Sequence, residues 1–228
     1  MTSLSDLFPA GAGKQVSFTA DGNITAAGKP VILNADGTAA EVTGSASVVG
    51  TASVFESATT TSHQACFDSS NNKVVMVYRD DGNSYYGTVA IGTVDGSANT
   101  ITWGSTPVVF TSNSAMRYAP VFDSSNNMVV ISFKNDGLGS YLYSMVGTVS
   151  GTGASATITF GTELQVDSNN TVDSISSCFD TTNNRVVVSW QRSDYTTGAY
   201  TGESIVGTVS GTGTGATITY GSKTAFQV

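Results

Sequence analysis

The stretch Cys66-Phe67-Asp68-Ser69-Ser70-Asn71-Asn72 appears three times along the chain with only small changes. It returns as Val121-Phe122-Asp123-Ser124-Ser125-Asn126-Asn127 and again as Cys178-Phe179-Asp180-Thr181-Thr182-Asn183-Asn184. The three aspartates of these stretches are 55 and 57 residues apart. A nearly fixed period of this length is typical of a protein built from repeated supersecondary units.

Two further markers follow each copy in the same order. They are Gly92-Thr93-Val94, Gly147-Thr148-Val149 and Gly207-Thr208-Val209, and then Trp103-Gly104, Phe160-Gly161 and Tyr220-Gly221. We therefore divide residues 61–228 into repeat 1 (61–115), repeat 2 (116–171) and repeat 3 (172–228). Residues 1–60 precede the repeats as an N-terminal segment for anchoring or assembly.

Each repeat is predicted to contain four strands, a to d. Strand a ends at Phe-Asp, and a tight turn follows because Asp and Asn side chains bond their own backbone and Asn tolerates a positive φ. Strands c and d contain the Gly-Thr-Val and the aromatic-glycine markers. Strand b lies in residues 73–79, 128–134 and 185–192 and is apolar at successive positions. That pattern is typical of a strand covered on both faces.

Four-stranded units stacked face to face are the blades of a β-propeller. The predicted fold class is all-β, with three four-stranded propeller-like blades of about 55–60 residues after an N-terminal β-hairpin and strand segment. A β-sandwich is the alternative, although it does not explain the period. Because propellers close with about 4–8 blades, three blades leave open a six-bladed ring of two chains, a filament or a longer protein.

One aromatic position of strand b recurs as Tyr78, Phe133 and Trp190, ten residues after each turn aspartate. A large ring at a repeated position of a buried strand usually belongs to the core. We therefore predict that these three rings pack between neighbouring repeats.

The two cysteines occupy one repeat position. Cys66 and Cys178 stand where repeat 2 has Val121, so we predict buried, unpaired thiols that behave as small apolar groups. Equivalent positions two repeats apart should also lie beyond disulfide reach. The single histidine, His63, has no acid at a suggestive spacing, which argues against a catalytic Cys-His pair.

Composition excludes several classes of protein. The 228 residues carry a formal net charge of −8, and only 11% are charged. Strong helix formers are scarce, which excludes a helical bundle or a classical α/β enzyme. Nine Lys and Arg form no cluster, so no nucleic-acid partner is predicted. Apolar runs reach four or five residues, whereas a bilayer span needs about 20, so no membrane partner is predicted.

The N-terminal segment differs from the repeats. No basic start and apolar stretch of a secretory signal is recognisable, so we predict that the protein stays in the cell or leaves it by assembly into a particle. Residues 29–41 are predicted to form a hairpin with its turn at Asn34-Ala35-Asp36-Gly37, and residues 44–50 to form a linker. The stretch 49–55 resembles residues 103–110 of strand d, which suggests a lone strand of an otherwise absent blade.

The loop between strands b and c varies in length and composition among the repeats, and loops on a rigid scaffold are where binding usually occurs. Together with the d–a loops, it would carry exposed rings beside Asp and Asn, which suits a sugar ligand. The alternative is that the tyrosines only cover the top of strand b. The candidate ligand-binding residues are Tyr85, Tyr86, Tyr118, Tyr141, Tyr195 and Tyr200.

No metal site, cofactor or catalytic residue is predicted. Asp80, Asp81 and Asn83 could supply oxygen ligands to calcium, but their spacing matches no recognised loop and Asp-Gly is first of all a turn. Nucleophile triads, phosphate loops and zinc clusters are not recognisable in the sequence. A glycan-degrading enzyme stays open as a third interpretation, because a buried carboxylate pair cannot be found by sequence pattern.

The repeat pattern Phe-Asp-x-x-Asn-Asn-x-Val-Val-Val, Asp-Gly-x-x-Tyr and Gly-Thr-Val-Ser-Gly-Thr resembles repeats in tail-fibre and other virion proteins of marine phages, especially those that infect cyanobacteria. The stretches 6–13 and 28–38 are similar to the N-terminal parts of the same proteins. The resemblance covers nearly the whole chain and brings no catalytic residues with it.

The resemblance implies a non-enzymatic structural protein of the virion, a tail fibre or fibre-like adhesin exposed to the extracellular medium. Its expected partners are further copies of itself, other virion proteins and host surface polysaccharide. The alternative is a self-assembling head-decoration protein or an extracellular filament subunit.

Overall fold

The protein is described by a computed structural model that covers residues 18–24, 30–42, 50–168, 171–194 and 198–226. The fold is all-β with antiparallel sheets, as predicted. Within these residues, no helix is long and apolar enough to cross a membrane. The chain divides between Val48 and Val49 into two separate compact parts.

The N-terminal part contains the predicted hairpin. Strands β1 (Val31–Leu33) and β2 (Ala39–Glu41) pair antiparallel. At the turn the amide of Gly37 donates to the carbonyl of Asn34 at 3.1 Å, and Gly37 has a φ of +84°. Glycine adopts this left-handed conformation without a steric penalty. The predicted linker lies almost wholly outside the described residues.

The larger part follows the sequence repeats strand by strand. Repeat 1 contains β3 (Thr60–Asp68), β4 (Lys73–Asp80), β5 (Tyr86–Asp95), β6 (Thr100–Trp103) and the first half of β7 (Val108–Asp123). Repeat 2 contains the second half of β7, β8 (Met128–Asn135), β9 (Tyr141–Ser150), β10 (Thr157–Phe160) and β11 (Leu164–Asp167). Repeat 3 contains β12 (Thr171–Asp180), β13 (Arg185–Asp194), β14 (Ala199–Ser210), β15 (Thr217–Tyr220) and β16 (Thr224–Phe226).

Strand d is formed in two pieces in every repeat, which the sequence did not predict. In repeat 3, β15 and β16 pair with successive stretches of β14. In repeat 1 the second piece continues directly into the next repeat as β7. Tyr86 of β5 lies opposite Ser114, whereas the next residue, Ala115, lies opposite Asn135 of β8. Strands β3 to β11 thereby form one nine-stranded sheet, and β12 to β16 form a separate sheet of five.

The a–b turns have the predicted chemistry. The Asp68 carboxylate accepts hydrogen bonds from the amides of Ser70 and Asn71, each at 3.0 Å, and from the Asn71 side chain at 2.8 Å. Asp123 and Asp180 make the corresponding bonds. The last turn residue, Asn72, Asn127 or Asn184, has a φ of +54° or +55°. Local side-chain bonding therefore sets the register of each a–b hairpin.

Each repeat has two faces, which we name front and back. The front carries Val75 and Val77 in repeat 1, Val130 and Ser132 in repeat 2, and Val187 and Ser189 in repeat 3. The back carries the strand-b rings Tyr78, Phe133 and Trp190. All three rings are buried. Phe133 and Trp190 pack between neighbouring repeats, as predicted, whereas Tyr78 packs against Phe55 of the segment before repeat 1.

The repeats stack front to back. Val77 on the front of repeat 1 shares one core with Phe133 on the back of repeat 2. Val130 on the front of repeat 2 shares a second core with Trp190 on the back of repeat 3. Strand β8 is therefore buried on both sides, which explains why its apolar run does not alternate.

The two cysteines were predicted to be buried and unpaired, and the structure corrects the burial of one of them. Both thiols are unpaired, as expected. Cys66 lies against the first core, and burial, with a smaller contribution from the Asp68 charge, raises the pKa of its thiol to about 12. Cys178 is exposed, so the prediction that it is buried was wrong. Its position faces forward: Val121 is covered by repeat 3, whereas no repeat packs on Cys178 in the described residues.

Candidate functional site

The structure gives the predicted tyrosines different environments. Tyr85 and Tyr200 are the exposed ones, with 51% and 63% of their surface accessible. Tyr86 and Tyr141 are half-buried, and Tyr141 packs against the first core. Tyr195 lies outside the described residues. Tyr85 and Tyr200 are therefore the rings in the described part of the set that present most surface to a ligand.

Tyr118 is unsuited to the role assigned to it. Only 3% of its surface is exposed, and its hydroxyl donates a 2.6 Å hydrogen bond to the backbone carbonyl of Ala115. Burial raises the pKa of this phenol. Its ring contacts Phe110 edge-on at 5.9 Å between centroids. The residue is part of the core and offers no face for stacking on a sugar.

Tyr85 is held by an ion pair beneath its ring. The Arg79 guanidinium lies 5.1 Å from the ring centroid, within the range of a cation–π contact. Arg79 Nε donates to Asp81 Oδ1 at 2.7 Å, and the Thr61 hydroxyl donates to the same oxygen at 3.0 Å. The bond with Asp81 raises the pKa of Arg79, and Arg79 in turn lowers the pKa of Asp81. Both partners therefore stay charged.

The backbone of Tyr85 is in an unusual conformation. Its φ is +64°, and the equivalent positions are Ser140, at +62°, and Gly198, at +69°. A left-handed conformation costs a bulky residue roughly 1 kcal/mol relative to glycine. Strain of this kind is often found at functional positions. Repeat 1 thus carries a large, half-exposed ring where the turn geometry favours a small residue.

A second feature lies on the innermost strands. Each strand a contains a β-bulge whose residue has a left-handed φ: Ser62 (+54°), Arg117 (+57°) and Ser174 (+48°). Together with neighbouring side chains these residues line an open cavity of about 170 Å³. Arg117 Nε pairs with Asp173 Oδ1 at 2.8 Å beside it. The cavity was not predicted from the sequence, although its three bulge residues share one position, six before each turn aspartate.

Residues 50–57, which we name the strap, lie against the back of repeat 1. The strap forms no strand, but its Phe55 stands where a preceding repeat would place the end of strand d. Phe55 contacts His63, Tyr78 and Trp103 at 5.9, 5.1 and 5.6 Å between centroids. Phe110 makes the equivalent contacts one repeat later, with Tyr118, Phe133 and Phe160 at 5.9, 5.1 and 5.8 Å.

A glycine contact supports the same assignment. A Cβ placed on Gly104 or Gly161 would collide with the carbonyl oxygen of Ala156 or Ala216 in the following repeat. A Cβ on Gly50 would collide with the equivalent carbonyl of Asn99. The predicted lone strand is therefore absent as a strand, yet the chain from Gly50 to Phe55 occupies its place.

No protein-family model matches the chain, and no curated protein is similar to it in sequence. In the part of the chain that the structure describes, no three His, Cys, Asp or Glu side chains are grouped to hold a metal ion. Features that the described residues offer to a partner or ligand include the exposed ring of Tyr85, the cavity between the bulges and the faces of the repeats.

Proposed function

We propose that the protein is a non-enzymatic structural component of a phage particle, of the tail-fibre or fibre-like adhesin type, whose repeats are propeller blades. The observation that carries the proposal is the burial of repeat 2 on both faces by its two neighbours. Front-to-back stacking of four-stranded antiparallel units is the packing of propeller blades. A protein assembled in this way offers a rigid body with loops along its edges.

The virion location rests on the resemblance of the repeat and of the N-terminal stretches to marine phage fibre proteins. On this proposal the protein lies on the particle surface, in contact with the extracellular medium and with other virion proteins. The formal net charge of −8 suits that setting, because a negatively charged surface repels nucleic acid.

The b–c loop edge is the proposed contact with host surface glycans. Tyr85 presents a half-exposed ring fixed by Arg79, and Asp81 and Asn83 supply polar groups on the same loop. A ring of this kind stacks on the C–H face of a sugar while neighbouring polar groups bond its hydroxyls. Tyr200 offers a second exposed ring at the b–c loop of repeat 3.

Labelling of particles tests the location. An antibody fragment raised against residues 50–228 should decorate purified phage particles in electron micrographs, at the fibres. Decoration of the head would favour the decoration-protein alternative. Label found only in extracts of the host, and on no particle, would overturn the virion assignment.

A glycan-binding experiment tests the loop edge. The protein is applied to an array of purified bacterial surface polysaccharides, with Tyr85→Ser and Tyr200→Ser beside the unchanged chain. Ser140 shows that serine fits the backbone conformation of Tyr85, so the first variant should keep its fold. We expect binding to fall at least tenfold in Tyr85→Ser and to be unchanged in the control Val42→Thr, which changes an exposed residue of the N-terminal part. Equal binding by all variants would remove the loop edge from the proposal.

A further inference from the structure

The front of repeat 3 is open, although it repeats a surface that is buried elsewhere in the chain. In the described residues no repeat follows it, and 47% of Val206 and 48% of Phe226 are exposed. We name this surface the end face. Its members are Cys178, Val187, Ser189, Ser204, Val206 and Phe226.

Two front-to-back contacts within the chain show what such a face accepts. In repeat 1 the front presents the apolar pair Val77 and Val89, in the core against which Phe160 of repeat 2 packs. In repeat 2 the equivalent pair is Ser132 and Ser144, whose hydroxyl oxygens are 3.1 Å apart. The strand-d aromatic of repeat 3, which packs on this polar pair, is a tyrosine.

That tyrosine bonds the serine pair. Tyr220 of repeat 3 lies with its hydroxyl 2.8 Å from Ser144 Oγ. Its pKa is raised by burial, and hydrogen bonds from Ser144 and Ser132 oppose the rise. An apolar pair thus meets a phenylalanine, and a hydroxyl pair meets a ring with a polar tip. This match is expected because a buried hydroxyl needs a hydrogen-bond partner.

The end face carries the hydroxyl version of the pair. Ser189 and Ser204 lie opposite each other in the register that Ser132 and Ser144 have in repeat 2. Its occupant should therefore present a back face whose strand-d aromatic can donate a hydrogen bond. Phe226 completes the surface, because it occupies in repeat 3 the position of Phe110 in repeat 1.

Of the back faces in the described residues, that of repeat 1 fits this description and is not covered by another repeat. Its strand-d aromatic is Trp103, and the indole Nε1–H is buried without a hydrogen-bond partner in the described part of the chain. Buried donors without a partner are uncommon in proteins, although the Nε1–H of Trp190, in the second core, is another in the described residues. The strap covers this face incompletely, since a cavity of about 360 Å³ remains between Val54, Phe55 and Trp103.

The strap is held loosely compared with a true strand d. Among the described residues, it makes no backbone hydrogen bond to repeat 1. Its polar contact is the Tyr78 hydroxyl, which donates to Glu56 Oε2 at 3.4 Å. By contrast, the amides of Gly104 and Ser105 donate to the carbonyls of Ile91 and Ala154 at 2.8 and 2.9 Å. The strap therefore puts Phe55 where a preceding repeat would put its equivalent of Phe226, but without the backbone hydrogen bonds that hold a paired strand.

We propose that the end face binds the back of repeat 1 in a second copy of this chain, where Phe226 displaces Phe55 and the strap. Trp103 of the second copy then donates its indole N–H to the Ser189–Ser204 pair. The contact is heterologous, so two copies close a ring of six repeats, or the series continues as a filament. The proposal does not depend on the virion role or on glycan binding.

The association should be weaker than the contacts within the chain. Thr93 and Thr148 accept hydrogen bonds from the amides of Gly153 and Gly213 at 2.8 and 2.9 Å across the two internal contacts. The turn between β5 and β6 has four residues, whereas that between β9 and β10 has six. Gly153 and Gly213 begin one-turn 3-10 helices in their c–d turns. The shorter turn of repeat 1 has none that would reach Thr208 of a second copy, and the strap competes for the site.

Sedimentation velocity of the full chain over a wide concentration range tests the proposal. We expect reversible formation of dimers or longer assemblies. Phe226→Ala should abolish it, and Phe55→Ala should strengthen it at least tenfold, because the competing ring is removed. Trp103→Phe keeps the ring but removes the donor and should weaken association about tenfold, if the bond contributes about 1.4 kcal/mol. Thermal unfolding of each variant confirms that it is folded.

Cys178 provides an independent readout, because it is an unpaired, exposed thiol on the end face. A bulky maleimide at this position should prevent association, while Cys178→Ser, unlabelled, should associate normally. A chain that stays monomeric even as Phe55→Ala would overturn the proposal. So would assembly that is indifferent to Phe226→Ala and to the label.

Discussion

The fronts of repeats 2 and 3 carry the same residues in different surroundings. Val130 and Ser132 in repeat 2 correspond to Val187 and Ser189 in repeat 3, and the paired residues on strand c are a serine and a valine in both. The first surface is buried under repeat 3, whereas the second is open. Burial along this chain is therefore decided by the next member of the stack, and not by the strand's own sequence.

The same comparison holds at the two ends of the stack. Phe110 is buried among three rings, and Phe226, its equivalent, is half-exposed. The back of repeat 1 is covered by the strap, which imitates one part of a missing neighbour. Paired substitutions at equivalent positions can therefore separate the effect of the residue itself on stability or reactivity from the effect of the repeat that packs on it.

The largest difference should appear in thiol reactivity. Burial raises the pKa of Cys66 from an ordinary value of 9.0 to about 12, which lowers its reactive thiolate fraction at pH 8 roughly 1000-fold. Cys178 is exposed and should react at once. Titration with a chromogenic disulfide reagent should give one equivalent in the native protein and two in denaturant. Loss of the fast phase in Cys66→Ser, in place of Cys178→Ser, would reverse the assignment.

A buried charge should distinguish the two fronts next. Val130→Asp puts a carboxylate into a fully buried position with no partner, and should cost about 3–5 kcal/mol of unfolding free energy. Val187→Asp, at the equivalent half-exposed position, should cost less than about 1 kcal/mol because water still reaches it. Urea denaturation of both variants measures the difference. Equal losses would mean that the end face is covered in the protein in solution.

The sequence predicted those features that depend on local chemistry. The Asp68 turn and its two equivalents form because their side chains bond the adjacent backbone. The strand order and the burial of Phe133 follow from the repeat and from the apolar run of strand b. The turns and the strand order depend on residues within one repeat. The burial of Phe133 depends on a repeat that has a neighbour on each side.

The features that the sequence did not predict depend on the ends of the stack. The exposure of Cys178 could not be inferred from Val121. Both are small residues at the same repeat position, and they differ in whether another repeat packs on them. Tyr118 looked like a loop residue, but β7 runs without a break from repeat 1 into repeat 2 and carries it into the core. Of the candidate glycan-binding set, Tyr85 and Tyr200 are exposed and Tyr118 is buried, and glycan binding itself stays a prediction.

Ring truncation should give the third largest effect. Phe110→Ala removes a buried ring from its contacts with Tyr118, Phe133 and Phe160, and should cost about 3–5 kcal/mol. Phe226→Ala removes a half-exposed ring and should cost about 1 kcal/mol. Chemical denaturation at a protein concentration too low for association isolates the effect on the single chain. A larger loss in Phe226→Ala than in Phe110→Ala would contradict the equivalence of the two positions.

The smallest effect concerns one hydrogen bond. Ser144→Ala removes the partner that lies 2.8 Å from the buried Tyr220 hydroxyl and leaves Ser132, so it should cost about 1–2 kcal/mol of unfolding free energy. Tyr220→Phe in the same chain removes the hydroxyl that has lost this partner, so the double variant should be more stable than the two single losses added together. Ser204→Ala, the equivalent change on the end face, should alter the stability of the monomer by less than about 0.5 kcal/mol and show no coupling to Tyr220→Phe. Denaturation of the five variants yields both coupling energies. Because the front of repeat 2 already has its aromatic partner and that of repeat 3 lacks one, coupling at Ser144 alone is the result that the stacking order requires; coupling of similar size at Ser204 would contradict it.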